Sequence, residues 1–579
     1  MLIQKSLIAT CLFASLAYGR NITYSVVTPA GDQHTVGVTV DDTTFALKPS
    51  PECPILFTGE APEATKGYNY VKLKGNQVIE KEAFLRQIAK DNTPNEVYNR
   101  TWNTVQVAKL PNVLSPLPGI NRIQTDLHID GQIPTLYFSG DQAALETMLK
   151  NATGDNKVTT NMTYITPSKI HQVNNVSIHL GGRGSRWSTK LAYNLKIEDK
   201  NGFMGYRRLK LRSLVSDPSY LREQIIYDIL QSAGVATTGF SYARVYFNDR
   251  PMGLYGFIEN YRNPWLKNEF NGGEKMDVGF LYQGMSGSST TGSRSDLSYR
   301  GDNVTAYADG AYRLKEAPKA DKADTKKDAG DEDKEDPVAN PADFTKLMEY
   351  TKFLEQGPVN GSDAVNAWKE KMDMESVIRN MVLEVLLGFS DGYIANLDNF
   401  YVYHSPQLNK MIYLPSDVDL GCGSTMVKLN DMWSGNYEQY PGFSMKRPLL
   451  NFIKVPEFKQ QFEQLLVKLT KELVNPAVVN KRIDELANML REDVAWDKTV
   501  PPANPNPPEA GQPGGPPSIE PSMIPPPLDV PTIMNMGIRA NVTFDQAING
   551  LNLGISLSGL KEWFQRQSQA TLAHFNATQ

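Results

Sequence analysis

The sequence predicts an α+β fold with two lobes, preceded by a small β-sandwich-like module. Three observations support this class: polar and apolar residues alternate over 20–75, a strand-rich stretch with one strong helix begins at residue 173, and a helix-rich second half carries two acidic loops. A period of two is typical of half-buried strands, whereas apolar residues three or four positions apart are typical of helices. The first segment therefore predicts the module, and the later two predict the lobes.

The predicted domains follow changes in composition along the chain. Residues 20–75 form the small β domain, and 76–169 form a connecting region with Pro-rich turns. The main domain covers 170–500, and 501–579 hold a Pro-rich loop and a C-terminal helix. Inside the main domain, residues 315–340 are charged and almost free of apolar side chains, which predicts a disordered insertion.

The N-terminus predicts entry into the secretory pathway. Residues 1–19 resemble a signal peptide, because Lys5 precedes an apolar run that ends in small residues. Nine Asn-x-Ser/Thr sequons follow, which predict N-glycosylation. They lie at Asn21, Asn99, Asn151, Asn161, Asn175, Asn303, Asn360, Asn541 and Asn576.

Composition argues against two classes of partner. The 579 residues carry a net charge of −5, whereas a general nucleic-acid binder is usually basic. After the signal peptide no apolar stretch approaches the ~20 residues that span a bilayer, so we expect no transmembrane segment.

Several elements of the main domain can be placed from local signals. Asp217 and Pro218 predict a helix start and Gly234 its end. Asn248-Asp249 predicts the turn of a hairpin. Further helices are expected at 343–356, 373–387, 456–496 and 558–574.

Residues 388–425 contain the most informative order of polar residues. A loop with Asp391, Asn396 and Asn399 precedes two short strands, 399–403 and 410–414, and Asp417 follows the second strand. Protein kinases use this order: a catalytic Asp, an Asn, a hairpin and a metal-binding Asp. The His-Arg-Asp and Asp-Phe-Gly motifs of ordinary kinases are missing from the sequence. The layout therefore predicts an atypical, two-lobed, protein-kinase-like fold.

Four segments together resemble the spore coat protein H (CotH) kinase family, whose fungal members include surface invasins. They are GGRGSRWSTKLAYNLKI (181–197), SDPSYLREQIIYDIL (216–230), VYFNDRPMGLYGFIENY (245–261) and the stretch from SDGYIANLDNF to DVDLGCG (390–423). The resemblance spans roughly residues 170–500. It implies a secreted kinase, or one on the cell or spore surface, that transfers the ATP γ-phosphate to Ser or Thr of secreted or surface proteins.

The same resemblance assigns roles to individual residues. It implies that Lys190 and Arg183 contact the ATP phosphates, that Glu223 pairs with Lys190, and that Glu259 belongs to the cofactor site. Arg186 lies in the same turn as Arg183 and could add charge, and Arg222 is expected to brace the lobes.

The acidic loops complete the expected site. Asp391 is the candidate catalytic carboxylate, together with Lys190. Asn399, Asp417 and Asp419 are the expected ligands of Mg²⁺ or Mn²⁺, which prefer carboxylate and amide oxygens. Asn396 remains an alternative to Asn399, because it follows Asp391 by five residues, the spacing of ordinary kinases.

Departures from the family pattern keep other functions open. Ser416 stands where family members usually carry an aromatic residue, and the invasin-type Gly-Gln-Thr is absent after Asp391-Gly392-Tyr393. The chief alternative is a non-catalytic, kinase-like adhesin, invasin or cell-wall protein, which could bind a host-cell receptor. A weaker alternative is a glycosyltransferase that uses Asp417-Val-Asp419 to hold a nucleotide sugar through a metal. The sequence also leaves open whether Cys53 and Cys422 pair.

Overall fold

A computed structural model describes residues 20–31, 34–151, 154–182, 184–285, 292–318, 343–512, 515 and 524–577. The predicted signal peptide and residues 319–340 of the predicted charged insertion lie outside these ranges. The chain divides into two compact units. The first comprises Met1–Thr104 and Thr163–Gln172, and the second comprises Val105–Met162 and Val173–Gln579.

The first unit is a seven-stranded, almost entirely antiparallel sheet with the order β6-β5-β2-β3-β4-β1-β7. Its central strand β3 changes partner, since Leu47 pairs with β2 whereas Lys48 pairs with β4. The two halves share one core, in which the rings of Tyr24 and Tyr68 lie 4.9 Å apart. The strands are β1 (Asn21–Val27), β2 (Thr35–Val40), β3 (Thr43–Ser50), β4 (Cys53–Pro62), β5 (Tyr68–Lys74), β6 (Gln77–Lys81) and β7 (Glu96–Val97).

This unit continues beyond residue 75, where the sequence placed the end of the β domain. A buried charge network provides the physical reason. Arg86 forms ion pairs with Glu82 at 2.7 Å and with Glu96 at 3.0 Å, and all three side chains are almost fully buried. A buried charge is stable only when it is paired and hydrogen-bonded, so residues 82–97 belong to this core.

A closed seven-stranded barrel has the strand order β10-β11-β12-β14-β13-β8-β9, and apart from the residues of β9 and β10 within Thr163–Gln172 it belongs to the second unit. The sequence predicted strands here but not a barrel. Closure depends on β8, which pairs in parallel with β13 from Thr135 and Arg244 onward. The strands are β8 (Thr135–Gly140), β9 (Val158–Ile165), β10 (Ile170–Leu180), β11 (Tyr193–Ile197), β12 (Arg208–Arg212), β13 (Phe240–Phe247) and β14 (Arg250–Glu259).

Three helices accompany the barrel: α1 (Gln142–Lys150), α2 (Arg222–Ser232) and α3 (Trp265–Phe270). The sequence predicted that α2 starts at Pro218 with Asp217 as its N-cap, and this prediction is wrong. The Asp217 carboxylate accepts hydrogen bonds from the Ser219 and Arg222 amides, each at 2.9 Å. This turn satisfies the backbone outside the helix, and the positive φ of Tyr220 (59°) delays the helical start.

A four-stranded antiparallel sheet of order β16-β15-β17-β18 follows. Its strands are β15 (Phe280–Gly284), β16 (Tyr312–Glu316), β17 (Phe400–Ser405) and β18 (Lys410–Pro415). The predicted hairpin is confirmed, since β17 and β18 pair from Phe400–Pro415 to Ser405–Lys410. Residues 315 and 316, which the sequence assigned to the disordered insertion, lie in β16.

The remaining described elements are mainly helical: α4 (Thr345–Gln356), α5 (Ala364–Lys371), α6 (Met374–Leu387), α7 (Tyr393–Asn396), α8 (Leu429–Met432), α9 (Pro456–Glu472), α10 (Pro476–Asp497), α11 (Val530–Asn535), α12 (Phe544–Asn549) and α13 (Leu560–His574). The helical stretch predicted at 456–496, which consists of two successive runs, corresponds to α9 and α10. None of the described helices is both long and apolar enough to cross a membrane.

Helix α6 positions the acidic loop. Asp373 caps its start by accepting a hydrogen bond from the Ser376 amide at 3.1 Å. Gly388 ends it with a φ of 64°, and a Cβ there would lie 2.4 Å from the Trp563 ring. Only glycine combines this left-handed backbone with so close an approach, so the loop leaves the helix at a defined point.

Candidate functional site

The two acidic loops meet in one small cavity. Asp391 and Asn399, from the loop between α6 and β17, line it together with Asp417, which follows β18. The cavity measures about 10 Å³, which is close to the space that one bound water or ion needs. The predicted catalytic carboxylate and two of the three predicted metal ligands are therefore neighbours.

Asp391 is held by both candidate asparagines. Asn399 donates its Nδ2 to Asp391 Oδ2 at 2.8 Å, and Asn396 donates its Nδ2 to Oδ1 at 2.5 Å. Burial and the nearby charge of Asp398 raise the pKa of Asp391 well above its usual range. These contacts fix the orientation of the carboxylate.

The structure distinguishes the two asparagines by what happens to their amide oxygens. The oxygen of Asn396 accepts a hydrogen bond from Arg294 at 2.7 Å, so both ends of that amide have partners. Asn399 donates its nitrogen to Asp391, and no other described residue donates a hydrogen bond to its side-chain oxygen. This difference favours Asn399 over Asn396 as the metal-binding residue.

Two cations from β12 approach the carboxylates after β18. Arg212 contacts Asp417 at 2.5 Å and Asp419 at 3.4 Å, and Lys210 lies 3.4 Å from Asp417. Burial would raise the pKa of Asp417, but the charges of Arg212 and Lys210 hold it well below its usual range. Asp419 also accepts a hydrogen bond from the Ser216 hydroxyl at 2.9 Å.

Glu223 joins this group from the first turn of α2. Its carboxylate lies 2.9 Å from Arg212 Nε, and its side chain is only 3% exposed. Burial raises the pKa of Glu223 to about 7, although Arg212 opposes the shift. Arg212 therefore bridges Glu223 to Asp417.

The predicted ion pair between Lys190 and Glu223 is not formed. Lys190 Nζ donates to Asp497 Oδ1 at 2.7 Å and to the Leu254 carbonyl at 2.6 Å. It also lies 4.7 Å from the centre of the Tyr255 ring. Burial lowers the pKa of Lys190, although Asp497 opposes the shift. Lys190 thus anchors the end of α10 to β14.

Sequence reasoning missed Lys210 and Arg212. The signal was present in RLKLR, because alternate residues of a strand point to the same side. Leu209 and Leu211 are fully buried, and Arg208, Lys210 and Arg212 occupy the alternate positions. The strand immediately precedes the segment that leads to Glu223, but which cation reaches that carboxylate depends on the strand's position in the barrel.

The other predicted cofactor residues occupy different surroundings. Glu259, at the end of β14, lies 3.6 Å from His128 Nε2. Among the described residues, no hydrogen bond or ion pair links its side chain to Glu223, Asp417 or Asp419. Arg186 pairs with Asp155 at 2.9 Å. Arg183 lies outside the described residues.

Arg222 links three segments around the start of α2. Its fully buried guanidinium contacts Asp217 and donates to the carbonyls of Cys422 at 3.3 Å and Ser558 at 2.6 Å. Through these contacts Arg222 braces the start of α2, and its bracing of two lobes stays a prediction. The same contacts also connect the stretch after β18 to the segment before α13.

The donor set suits a hard divalent ion, although the carboxylates are engaged with other residues. Among the described residues, no group of three or more His, Cys, Asp or Glu side chains is arranged to hold a metal ion. Burial and the neighbouring Asp417 raise the pKa of Asp419, although Arg212 opposes the shift. Its oxygens are the kind that Mg²⁺ and Mn²⁺ prefer.

Two further side chains, Glu384 and Arg447, hold the loop that carries Asp391. Glu384 Oε1 accepts a hydrogen bond from the Ile394 amide at 2.5 Å, and Arg447 Nε donates to the Ile394 carbonyl at 2.8 Å. The N-cap of α7 is Gly392, which has no side chain, so Glu384 supplies the missing acceptor. A Cβ at Gly392 would lie 2.5 Å from Glu384 Oε1, which explains the glycine.

The structure also bears on the pairing of the two cysteines and on the accessibility of the sequons. Cys53 and Cys422 are both buried, and they form no disulfide with each other. All nine sequon asparagines are exposed, which makes them accessible to glycosylation.

Comparison with known proteins identifies the family. The family model described as CotH kinase protein matches residues 178–503. The chain is 24% identical to Invasin CotH3 of Rhizopus delemar over 99% of its own length and 88% of the relative. It is 23% identical to Invasin CotH2 of the same organism, over 100% and 88% of the two chains. Spore coat protein homolog 1, also from Rhizopus delemar, is 25% identical over 86% and 76%.

The matched range includes β11, β12, α2 and both acidic loops, and it covers more than half of the 579 residues. The resemblance seen in the four sequence segments is thereby confirmed. The chain belongs to the CotH kinase protein family.

Proposed function

We propose that this protein is an ATP-dependent, metal-requiring kinase that transfers phosphate to Ser or Thr of secreted or surface proteins. One observation carries the proposal. Arg212 joins Glu223 of α2 to Asp417, and Asp417 lines the same cavity as Asp391. Phosphoryl transfer needs this combination of cations, metal-binding carboxylate and nucleophile-orienting carboxylate.

The order of elements supports a two-lobed, kinase-like arrangement. The barrel strand β12 and helix α2 supply the cations and Glu223, while the hairpin of β17 and β18 is flanked by Asp391 and Asp417. Kinases use a strand cation paired with a helical Glu, followed by the same sequence of Asp, Asn, hairpin and Asp.

We assign each residue a chemical role. Asp391, oriented by two amides, would accept or direct the proton of the Ser or Thr hydroxyl. Lys210 and Arg212 would contact the phosphates in place of Lys190, which is bound to Asp497. Asn399, Asp417 and Asp419 would hold Mg²⁺ or Mn²⁺, which offsets the phosphate charge when bound.

Binding and turnover test this function together. We expect calorimetric titration of the glycosylated protein with ATP to show binding that depends on Mg²⁺ or Mn²⁺ and is lost in Asp417→Asn. Asp391→Asn should retain nucleotide binding and lower phosphate transfer to Ser/Thr peptides from secreted proteins by about 10²- to 10⁴-fold.

Asp484→Asn is the matched control, because Asp484 is 53% exposed and pairs with Lys561 away from the cavity. Unchanged phosphate transfer in both Asp391→Asn and Asp417→Asn would overturn the kinase assignment. Folded protein that binds no nucleotide would do the same.

A surface-binding protein is the second candidate. Two relatives carry the name invasin and a third the name spore coat protein homolog, which suggests a surface or secreted location and contact with host cells. The exposed sequons are in keeping with passage through the secretory pathway. If binding is the function, the glycosylated protein should bind intact host cells saturably and Asp391→Asn should bind equally well. Kinase activity without cell binding would exclude this alternative.

A further inference from the structure

The two carboxylates that follow β18 have donors of the chain at all four of their side-chain oxygens. Arg212 lies 2.5 Å from one oxygen of Asp417, and Lys210 lies 3.4 Å from the other. One oxygen of Asp419 lies 3.4 Å from Arg212, and the other accepts a hydrogen bond from the Ser216 hydroxyl at 2.9 Å. A divalent ion that binds these oxygens must therefore compete with donors of the chain itself.

The small cavity leaves an ion few other oxygens. Asp391, Asn399 and Asp417 line a space of about 10 Å³. Both oxygens of Asp391 accept hydrogen bonds from side-chain amides, from Asn396 at 2.5 Å and from Asn399 at 2.8 Å. Mg²⁺ demands nearly octahedral coordination by oxygen, so it cannot dispense with the carboxylate of Asp417. The two cations of β12 would repel an ion at that carboxylate unless they withdraw from it.

Glu223 allows Arg212 to change one partner while it keeps another. The Glu223 carboxylate lies 2.9 Å from Arg212 Nε, whereas a terminal nitrogen of the same guanidinium contacts Asp417. The two contacts use different atoms of Arg212, and the side chain of Glu223 is almost fully buried. The terminal nitrogen can therefore exchange its acceptor while Glu223 holds the guanidinium beside the site.

Cations that withdraw from Asp417 need another acceptor. The side chains of Arg212 and Lys210 are only 11% and 15% exposed. A buried cation without a partner is strongly unfavourable. Phosphate oxygens accept charge-assisted hydrogen bonds from guanidinium and ammonium groups. A phosphate group is therefore a suitable replacement for Asp417 as the partner of both cations.

We propose that Lys210 and Arg212 act as a gate on the metal site: they hold Asp417 until a phosphate group takes over their contacts, and Asp417 then binds the divalent ion. The ion and the phosphate group consequently each raise the affinity of the site for the other. That the phosphate group belongs to ATP rests on the proposed kinase function. The gate itself needs only the contacts between the two cations and Asp417, so the gate and the kinase function can fail separately.

Mn²⁺ alone is the probe for the first measurement, on the full glycosylated chain without nucleotide. Free Mn²⁺ is measured by electron paramagnetic resonance. We expect Lys210→Met to bind Mn²⁺ about tenfold more tightly than wild type, and Arg212→Met to show the same gain. Adding Asp417→Asn to Lys210→Met should abolish the gain, because Asp417 supplies the oxygens that the first substitution releases.

Lys459→Met is the matched control, because it breaks a pair of the same kind at the surface. Lys459 lies 2.9 Å from Glu438, and the two side chains are 42% and 56% exposed. Its Mn²⁺ affinity should equal that of wild type, which separates the gate from a general effect of removing one positive charge. Lys210→Met keeps the test decisive if Arg212→Met fails to fold, because Lys210 does not contact Glu223 directly in the way that Arg212 does.

Thermal unfolding measures the coupling without any assay of activity. In wild type, Mn²⁺ and ATP together should raise the midpoint temperature by more than the sum of their separate effects. In Lys210→Met, Mn²⁺ alone should raise the midpoint, and ATP should add little, because one of the two phosphate contacts is missing.

The outcomes separate the gate from the kinase assignment. Unchanged or weaker Mn²⁺ affinity in folded Lys210→Met would overturn the gate, even where wild type binds ATP. A gain that survives Asp417→Asn would do the same, and so would purely additive effects of Mn²⁺ and ATP on a wild type that binds both. A gain that Asp417→Asn abolishes, in a protein that binds no ATP, would support the gate and overturn the kinase assignment.

Discussion

The guanidinium of Arg212 links Glu223 and Asp417, with its Nε 2.9 Å from Glu223 and a terminal nitrogen 2.5 Å from Asp417. This single side chain connects α2 with the loop that follows β18. The position of the helix is thereby coupled to the electrostatics of the candidate metal-binding residue. In a phosphotransferase such a link would allow the site to form only when α2 is in place.

Replacing Arg212 should destabilise the protein because two buried or partly buried carboxylates lose their counter-charge. We expect Arg212→Met to lower the free energy of unfolding by about 2–4 kcal/mol in urea denaturation. Adding Glu223→Gln should recover part of that loss, since a neutral amide needs no counter-charge. A double variant no more stable than Arg212→Met would show that Glu223 is not the group left uncompensated.

The two candidate phosphate-binding lysines should behave differently. Lys210→Met is expected to weaken ATP binding about tenfold or more in calorimetry, because Lys210 lies beside Asp417. Lys190→Met should mainly lower stability, because its loss leaves Asp497 without its cation between β14 and α10. The reverse pattern would return the phosphate contact to Lys190.

The two asparagines near Asp391 should separate metal binding from orientation. Asn399→Ala should raise the Mg²⁺ or Mn²⁺ concentration needed for half-maximal phosphate transfer by about tenfold, since an amide oxygen available to the ion is lost. Asn396→Ala should lower the turnover rate with little change in that concentration, because its oxygen is bound to Arg294. Equal metal dependence in the two variants would contradict this division.

Glu384 should make stability depend on pH. Burial raises its pKa to about 8 in the folded protein, above the ordinary value of 4.5. The folded state therefore holds this proton more tightly, and the stabilisation is lost as pH rises from about 4.5 through 8. We expect this contribution to be on the order of a few kcal/mol.

Urea unfolding from pH 5 to 9 checks this prediction. Glu384→Gln mimics the protonated acid, so it should keep wild-type stability at pH 5 and show a smaller decline toward pH 9. Glu375→Gln is the control on the same helix, because Glu375 is 64% exposed. Identical pH curves for wild type and Glu384→Gln would contradict the shift.

The local order of the acidic loops was predictable, and their long-range partners were not. The local signals all lie in one stretch of chain: Gly388, the spacing of Asp391 and Asn399, and the turn before Asp417. By contrast, Lys190 and Glu223 lie 33 positions apart, and Asp497 is more than 300 positions from Lys190. Family resemblance suggested the first pair, but burial of Lys190 against Leu254 and Tyr255 makes Asp497 its partner.

The sequence by itself determined the elements whose signals are local. Helix α6 follows from its apolar run, Asp373 and Gly388, and the hairpin of β17 and β18 from two short strands around the Ser405-Pro406 turn. The tertiary structure decided three other matters: the closure of the barrel by β8, the choice of Arg212 as the partner of Glu223, and the delayed start of α2. In each case the deciding contact joins distant segments or competes with the helix for the same backbone donors, and local propensity contains no information about such contacts.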